Sequence, residues 1–144
     1  MSSPDLIDPR GPRFGAWVTS VVLALVLLLS GSDVAAGLLL TAQAAVFALG
    51  SRGRSPYVLV WKRFLRSGQP DELEAAAPPR FAQVVGLGFA AVGAVGFLTG
   101  LTVLGQVATA FALVAALLNA AVGLCLGCEL YLLYTRSTTK GATA

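Results

Sequence analysis

Two cysteines, Cys125 and Cys128, are the residues of this chain whose type and spacing most directly suggest chemistry. They are its only cysteines, and two residues three apart share one face of a helix, so the thiols could act as a unit. Thiol–disulfide exchange or sulfur relay suits such a pair. So does simple packing, because free cysteine is among the most buried residue types. Because the chain has no histidine, a four-ligand metal site would need a dimer that pools four cysteines, so we predict no cofactor and no metal.

Three charged residues are the candidate neighbours of this pair. Glu129 follows Cys128 directly, and acidic side chains at membrane depth are functional candidates because they are costly to bury unpaired. Arg13 and Arg80 open the first and third apolar segments, and we expect one of them to pair with Glu129. In this interpretation Cys125 and Cys128 are the catalytic dithiol. Glu129 tunes their protonation or accepts a proton, and the two arginines hold Glu129 or attract a sulfur oxyanion.

The composition places these residues in a membrane protein. Hydrophobic residues make up 56% of the chain and charged residues only 12%, whereas soluble domains carry about 25% charged residues. The apolar residues fall in four blocks: Phe14–Ser30, Val34–Leu49, Phe81–Leu98 and Val107–Leu133. Because a helix needs about 20 mainly apolar residues to cross a bilayer, we predict an all-α integral membrane protein with a bundle of four transmembrane helices. The fourth block is long enough to tilt or to extend beyond the hydrocarbon.

The positions of the basic residues predict the orientation. All ten lie before the first block, in the central linker or after the last block, while Gly31–Asp33 and Thr99–Gln106 contain no Lys or Arg. Cytoplasmic loops are enriched in Lys and Arg. We therefore predict a multi-pass protein of the bacterial plasma membrane with both termini and the linker in the cytoplasm.

We expect one membrane domain over residues 1–144, built as two tandem hairpins. The first hairpin, with a cytoplasmic N-terminus, covers 1–50, the cytoplasmic linker 51–80, the second hairpin 81–134 and the cytoplasmic tail 135–144.

The two hairpins begin alike, which indicates a duplication. Gly11-Pro12-Arg13-Phe14 opens the first and Pro78-Pro79-Arg80-Phe81 opens the second. Both would start in the cytoplasm, so the copies would be parallel and related by an axis along the membrane normal. Alternatively, Pro-Arg-Phe is simply a favourable helix start, because proline suits the first turn.

The linker contains a short amphipathic pattern over Tyr57–Arg66 after the helix start at Ser55-Pro56. One face carries apolar side chains, namely Val58, Trp61, Phe64 and Leu65. The other carries cations, namely Lys62, Arg63 and Arg66. This pattern is typical of a helix in the headgroup layer, with Tyr57 and Trp61 as anchors and the cations attracted to anionic membrane lipids. The stripe is too short for nucleic-acid binding, which we do not expect.

The predicted position of the dithiol limits its redox chemistry. We expect the motif to close the last span, and the C-terminal end of a helix dipole favours the thiol over the thiolate. A disulfide across i and i+3 inside a regular helix would be strained, so Gly123 and Gly127 would have to let the helix open. Because cytoplasmic thiols are normally reduced, we expect a reduced resting dithiol.

Three segments resemble an uncharacterised family of small four-helix membrane proteins that is common in actinobacteria. They are Asp8–Phe14, Pro79–Gln83 and the motif Gly-Leu-Cys-Leu-Gly-Cys-Glu-Leu-Tyr over Gly123–Tyr131. The resemblance covers nearly the whole chain and implies the same fold. The family's association with thioredoxin-like and thiosulfate-sulfurtransferase-like proteins implies thiol or sulfur metabolism, and no catalytic residue comes with it.

The sequence therefore favours a membrane-embedded dithiol component that exchanges electrons or sulfur with a cytoplasmic thioredoxin-like or rhodanese-like partner. It leaves open whether the chain is an enzyme. One alternative is a structural or accessory subunit of a larger membrane complex or homo-oligomer, in which the cysteines only pack. Another is a small transporter of a sulfur compound, which four helices could form only as an oligomer.

Overall fold

The fold is that of a computed structural model that describes residues 6–69 and 72–143, the side chains of 140–143 excepted. Six α-helices, one π-helical turn and two short strands make up this part of the chain. The helices are α1 (Arg10–Leu28), α2 (Asp33–Ser51), α3 (Pro56–Val60), α4 (Ala77–Leu98), α5 (Thr102–Val122) and α6 (Leu126–Thr143). The π-helical turn, Trp61–Leu65, continues α3, and the strands are β1 (Leu6–Ile7) and β2 (Glu74–Ala75), which pair antiparallel.

Four of these helices, α1, α2, α4 and α5, are long and apolar enough to cross a membrane. Their lengths of 19 to 22 residues match the roughly 20 residues that the hydrocarbon core requires. The predicted fold class is therefore confirmed. The single long helix expected over Val107–Leu133 is wrong, because the chain leaves helical geometry after Val122 and starts α6 at Leu126.

The four long helices form a ring in which α1 contacts α2, α2 contacts α4, α4 contacts α5, and α5 contacts α1. Their shared core is made of apolar side chains from all four helices: Leu23, Val26, Ala36, Leu40, Phe47, Ala90, Ala94, Phe97 and Ala112. Small residues allow close approach, as expected in lipid. A Cβ built on Gly96 of α4 would lie 2.7 Å from the backbone nitrogen of Gly105 on α5.

Polar side chains join the helices at two levels. The amide of Gln43, only 1% exposed, donates to Thr19 Oγ1 of α1 at 3.3 Å. Near the short connections, Gln106 donates to Ser30 Oγ at 3.2 Å. Gln43 thus joins α2 to α1, and Gln106 joins α5 to the turn that follows α1.

The helices α1 and α4 begin, and α2 and α5 end, at one end of the bundle, which we call the linker end. There α3 and the π-helical turn pack on α1, because Gly11 leaves room for Trp61: a Cβ on Gly11 would lie 3.3 Å from Trp61 Cε3. Tyr57 donates its hydroxyl to Gln43 Oε1 at 2.7 Å. Burial raises the pKa of Tyr57 above its usual value, and this hydrogen bond partly offsets the shift.

The amphipathic face predicted for the linker is therefore arranged differently. Trp61 is 7% exposed and contacts protein, whereas Phe64 is 77% exposed and Leu65 54% exposed. Val58 shares the protein-facing side with Trp61, since both lie against Gly11. The exposed apolar residues next to the cations are instead Leu59, Val60, Phe64 and Leu65.

The first turn of α1 is joined to the linker by Arg10. Its guanidinium forms an ion pair with Asp8 at 2.9 Å, donates to the Ser67 carbonyl at 3.2 Å and lies 5.5 Å from the centre of the Trp61 ring. The hydrogen bond from Arg10 lowers the pKa of the Asp8 carboxyl. These contacts hold the chain before α1 against the linker.

Candidate dithiol site

The site lies in a sharp turn between α5 and α6, at the linker end of the bundle. The segment Gly123–Cys125, which we call the cysteine elbow, separates the two helices. Gly123 has a φ of +77°, a left-handed conformation that glycine adopts at little cost and that commonly ends a helix. Its N–H donates to the Asn119 carbonyl at 3.1 Å, and the N–H of Leu124 donates to the Leu118 carbonyl at 3.2 Å. The last turn of α5 is thus capped, and the chain is free to turn.

Cys125 is the residue immediately before α6 and occupies the position of its N-cap. The backbone N–H of Cys128 donates to Cys125 Sγ at 3.3 Å, which is the bond that an N-cap side chain forms with the third helical residue. The N–H of Glu129 donates to the Cys125 carbonyl at 3.0 Å. The dithiol therefore opens a helix, and the expectation that it closes one is wrong.

This placement reverses the electrostatic argument made from the sequence. The N-terminal end of a helix carries partial positive charge from its unsatisfied N–H groups. Thiols at helix N-termini, and in motifs with two cysteines three apart, ionise more readily than free cysteine. The sulfur of Cys125 lies at this end of α6.

Cys125 and Cys128 are joined by a disulfide, with Cα atoms 5.1 Å apart. Because the pair lies at a helix start rather than inside a regular helix, no internal turn has to open to form the bond. Both cysteines are partly exposed, so the disulfide is neither sealed in the core nor fully in contact with solvent. The reduced resting state stays a prediction.

Contacts with α4 hold the start of α6 in place. A Cβ built on Gly127 would lie 2.6 Å from both Cα and Cβ of Ala82, so only glycine permits this approach. One turn further along α6, the rings of Tyr131 and Phe81 have centroids 5.7 Å apart. The orientation of the dithiol thus depends on a glycine–alanine contact and an aromatic pair.

The three predicted charged neighbours have different positions. Arg13 reaches the cysteine elbow, with its Cζ 3.7 Å from a Cβ built on Gly123. Arg80 instead lies against Gly53, with Nη2 3.1 Å from a built Cβ there. Glu129 is exposed, and among residues 6–69 and 72–139 no ion pair is seen between it and Arg13. Pairing of Glu129 with an arginine stays a prediction.

The remaining predictions concern metal binding and the linker. Among residues 6–69 and 72–143, with the side chains of 140–143 excepted, no three His, Cys, Asp or Glu residues are grouped so that they could hold a metal ion. The side chains of Lys62, Arg63 and Arg66 are exposed on the π-helical turn and just after it.

Comparison with known proteins identifies the family of this chain. A family described as "Domain of unknown function (DUF4395)" matches residues 7–136. The chain belongs to this family. The match runs from β1 through the first half of α6, so the cysteine elbow is part of the family domain. No curated protein and no solved structure matches the chain.

Sequence reasoning named the cysteines, Arg13, Gly123 and Gly127, but it placed the two glycines inside one helix and missed Ala82, Phe81 and Tyr131. Gly123 was a usable signal, because glycine just after about 20 apolar helical residues commonly marks a helix end. The contacts of Gly127 with Ala82 and of Tyr131 with Phe81 join positions more than 40 residues apart, and nothing in the local pattern indicates them.

Proposed function

We propose that this protein is a membrane-embedded dithiol component that exchanges electrons or sulfur with a thioredoxin-like or rhodanese-like partner at the linker end of the bundle. The observation that carries the proposal is the position of Cys125 at the start of α6, where its sulfur accepts the N–H of Cys128. Packing alone does not require a cysteine at this position. Thiol–disulfide exchange requires one, because the reaction needs a thiolate and a second sulfur beside it.

In the electron-exchange reaction the reduced Cys125 thiolate attacks one sulfur of a partner disulfide. The partner's S–S bond breaks, its first thiolate leaves and a mixed disulfide forms. Cys128 then loses its proton, for which the exposed carboxylate of Glu129 is a nearby acceptor, and attacks Cys125 Sγ. The intramolecular disulfide forms and the partner's second thiolate leaves, so two electrons have passed to the partner.

The same groups can accept sulfur. The Cys125 thiolate attacks the outer sulfur of a partner persulfide, the partner's thiolate leaves, and Cys125 carries the persulfide. Attack of Cys128 on Cys125 Sγ then forms the disulfide and releases hydrosulfide. Both reactions end in the bonded pair present in the structure, and both assign attack to Cys125 and resolution to Cys128.

We also infer the orientation of the bundle in the bacterial plasma membrane. The described basic side chains lie at the linker end or along the segments that extend from it, which supports a cytoplasmic linker and cytoplasmic termini by the positive-inside rule. A cytoplasmic dithiol would be accessible to soluble thioredoxin-like and rhodanese-like proteins.

The linker cations support a contact with lipid headgroups. Lys62, Arg63 and Arg66 form a cationic patch, and all three are exposed beside the exposed side chains of Phe64 and Leu65. Apolar side chains flanked by cations are typical of segments that lie in the headgroup layer, where each cation gains about 1 kcal/mol from anionic lipids. We propose that anionic phospholipids of the cytoplasmic leaflet bind this patch.

Capture of mixed disulfides tests the exchange reaction. In the Cys128→Ser variant Cys125 can still attack, but the mixed disulfide is not resolved. We expect this variant, quenched with acid in intact cells, to accumulate reductant-sensitive adducts with thioredoxin-like or rhodanese-like proteins. The Cys125→Ser variant should give several-fold fewer adducts, because the remaining thiol lacks the N-cap position.

The double Cys125→Ala, Cys128→Ala variant is the control and should give no adduct. Equal capture by the two single variants would contradict the assigned roles. If neither variant captures a partner, and the double variant supports growth as well as the unmodified protein does, the proposal fails and the accessory-subunit interpretation replaces it.

A further inference from the structure

The cysteine elbow has a counterpart in the first half of the chain. After α2, Arg52–Ser55 separates that helix from α3, and we call this segment the serine elbow. Gly53 and Gly123 both have a φ of +77°. Ser55 lies two residues after Gly53 and directly before α3, just as Cys125 lies two residues after Gly123 and directly before α6.

The helix contacts repeat in the same order. The contact between α1 and α2 corresponds to that between α4 and α5, and the contact between α2 and α4 corresponds to that between α5 and α1. In addition, α3 packs on α1 as α6 packs on α4. The repeated unit thus contains two spans, an elbow and a third helix, which is more than the two-helix hairpin that the sequence indicated.

Each unit supplies an arginine to the elbow of the other. Arg13, near the start of α1, lies at Gly123, and Arg80, near the start of α4, lies at Gly53. Both arginines belong to the Pro-Arg-Phe sequences that open the two units. The reciprocal placement shows that the arginine belongs to the architecture of the elbow, and only the second elbow carries sulfur.

We propose that Arg13 is a positioning residue for Cys125: its guanidinium, beside Gly123 at the end of α5, holds the cysteine elbow and favours the Cys125 thiolate. A cation is favourable at the C-terminal end of a helix, here α5, because of the partial negative charge of the terminal carbonyls. The same cation lowers the free energy of a nearby anion such as a thiolate. This inference rests on the proposed function for its biological meaning, but the ionisation of Cys125 can be measured without any partner.

The effect of Arg13 on Cys125 ionisation should be moderate, because the Arg13 side chain is exposed and water and salt screen exposed charges. We expect Arg13→Gln to raise the pH midpoint of Cys125 ionisation, because it removes a neighbouring positive charge. At a pH below the midpoint, the alkylation rate should fall by roughly threefold, because an exposed charge acts through screening water and salt. Arg13→Lys should restore most of the shift if charge dominates.

The test uses the full chain in nanodiscs with Cys128→Ser, so that Cys125 is the single thiol. The pH profile of its alkylation by iodoacetamide is measured for Arg13, Arg13→Gln and Arg13→Lys. Arg80→Gln is the matched comparison, because it removes the same charge from the serine elbow. We expect a shifted midpoint for Arg13→Gln and a midpoint near the unmodified value for Arg80→Gln.

A second measurement distinguishes an effect on Cys125 from a general loss of stability in the variant. With both cysteines present, the dithiol is equilibrated with glutathione buffers, and thermal unfolding of each variant is recorded. Because Arg13 stabilises the thiolate, Arg13→Gln should make the disulfide harder to reduce at a pH above the midpoint, by up to about threefold, and should change the equilibrium little below it. Equal midpoints and equal glutathione equilibria for Arg13→Gln and Arg80→Gln would overturn the inference, and capture of a partner by Cys128→Ser would still support the exchange reaction.

Discussion

Replacing Gly127 by valine should detach the start of α6 from α4. A Cβ at this position would lie 2.6 Å from Cα and Cβ of Ala82, and ordinary contact begins at 3.4 Å. The two helices would therefore have to separate by about 0.8 Å even for the first carbon of the new side chain. Ala82 contributes a backbone atom to the clash, so rotation of a side chain cannot relieve it.

The expected cost follows from this geometry. Overpacking of a close contact typically costs about 1–3 kcal/mol. The higher helix propensity of valine offsets only a few tenths of a kcal/mol relative to glycine. Because Gly123–Cys125 separates α6 from the four long helices, we expect the cost to appear as opening of α6 rather than unfolding of the bundle. A free-energy change of about 1–3 kcal/mol corresponds to about 5- to 150-fold faster exchange of the α6 amide hydrogens.

Hydrogen exchange of the protein in nanodiscs, read by mass spectrometry, measures this effect. Gly88→Val is the matched control, because nothing lies within 4 Å of a Cβ built on Gly88 of α4. Faster exchange in α6 for Gly127→Val, with α1 and α2 unchanged, is the expected result. If α6 exchanges at the same rate in Gly127→Val and Gly88→Val, the contact with Ala82 does not hold the dithiol and the reasoning is refuted.

Two further predictions concern the linker. Tyr57→Phe removes the donor to buried Gln43 and should lower the free energy of unfolding by about 1–2 kcal/mol. The control Tyr134→Phe, at a residue 65% exposed, should leave that free energy unchanged. Thermal unfolding in detergent compares the two variants, and equal stabilities would contradict the role of this hydrogen bond. Neutralising the cationic patch with glutamines should reduce the anionic phospholipid that co-purifies, as counted by native mass spectrometry. A variant that exchanges Lys for Arg and Arg for Lys within the patch should retain that lipid, and equal retention by the neutral variant would show that the patch does not bind it.

The cysteine elbow could not be predicted from local sequence signals alone. The apolar run over Val107–Leu133 contains no proline or charge before Glu129, so hydropathy alone treats it as one helix. Gly123 marks the end of α5, but glycine is also common inside transmembrane helices. Whether such a glycine ends a helix is decided by where the next helix can pack, here by the contact of Gly127 with Ala82.

The linker gives a second example. Its pattern indicated a helical segment, which α3 and the π-helical turn form, and its cations are exposed as expected. The direction of the aromatic side chains was not indicated, because Trp61 turns toward α1 only where Gly11 lacks a side chain. The hydrogen bond from Tyr57 to Gln43 also joins residues on separate elements, and an amphipathic pattern cannot distinguish a protein neighbour from a lipid one.

The sequence by itself determined that four helices are long and apolar enough to span a membrane and that two cysteines lie near the end of the last apolar run. Hydrophobic length and composition are properties of local segments, which is why they can be read without coordinates. Only the tertiary structure decided that the cysteines open a helix, that Arg13 lies at their elbow, and that Arg80 lies at the corresponding serine elbow. Those features depend on which backbones can approach each other across the bundle, and that is settled by contacts between residues far apart in the chain.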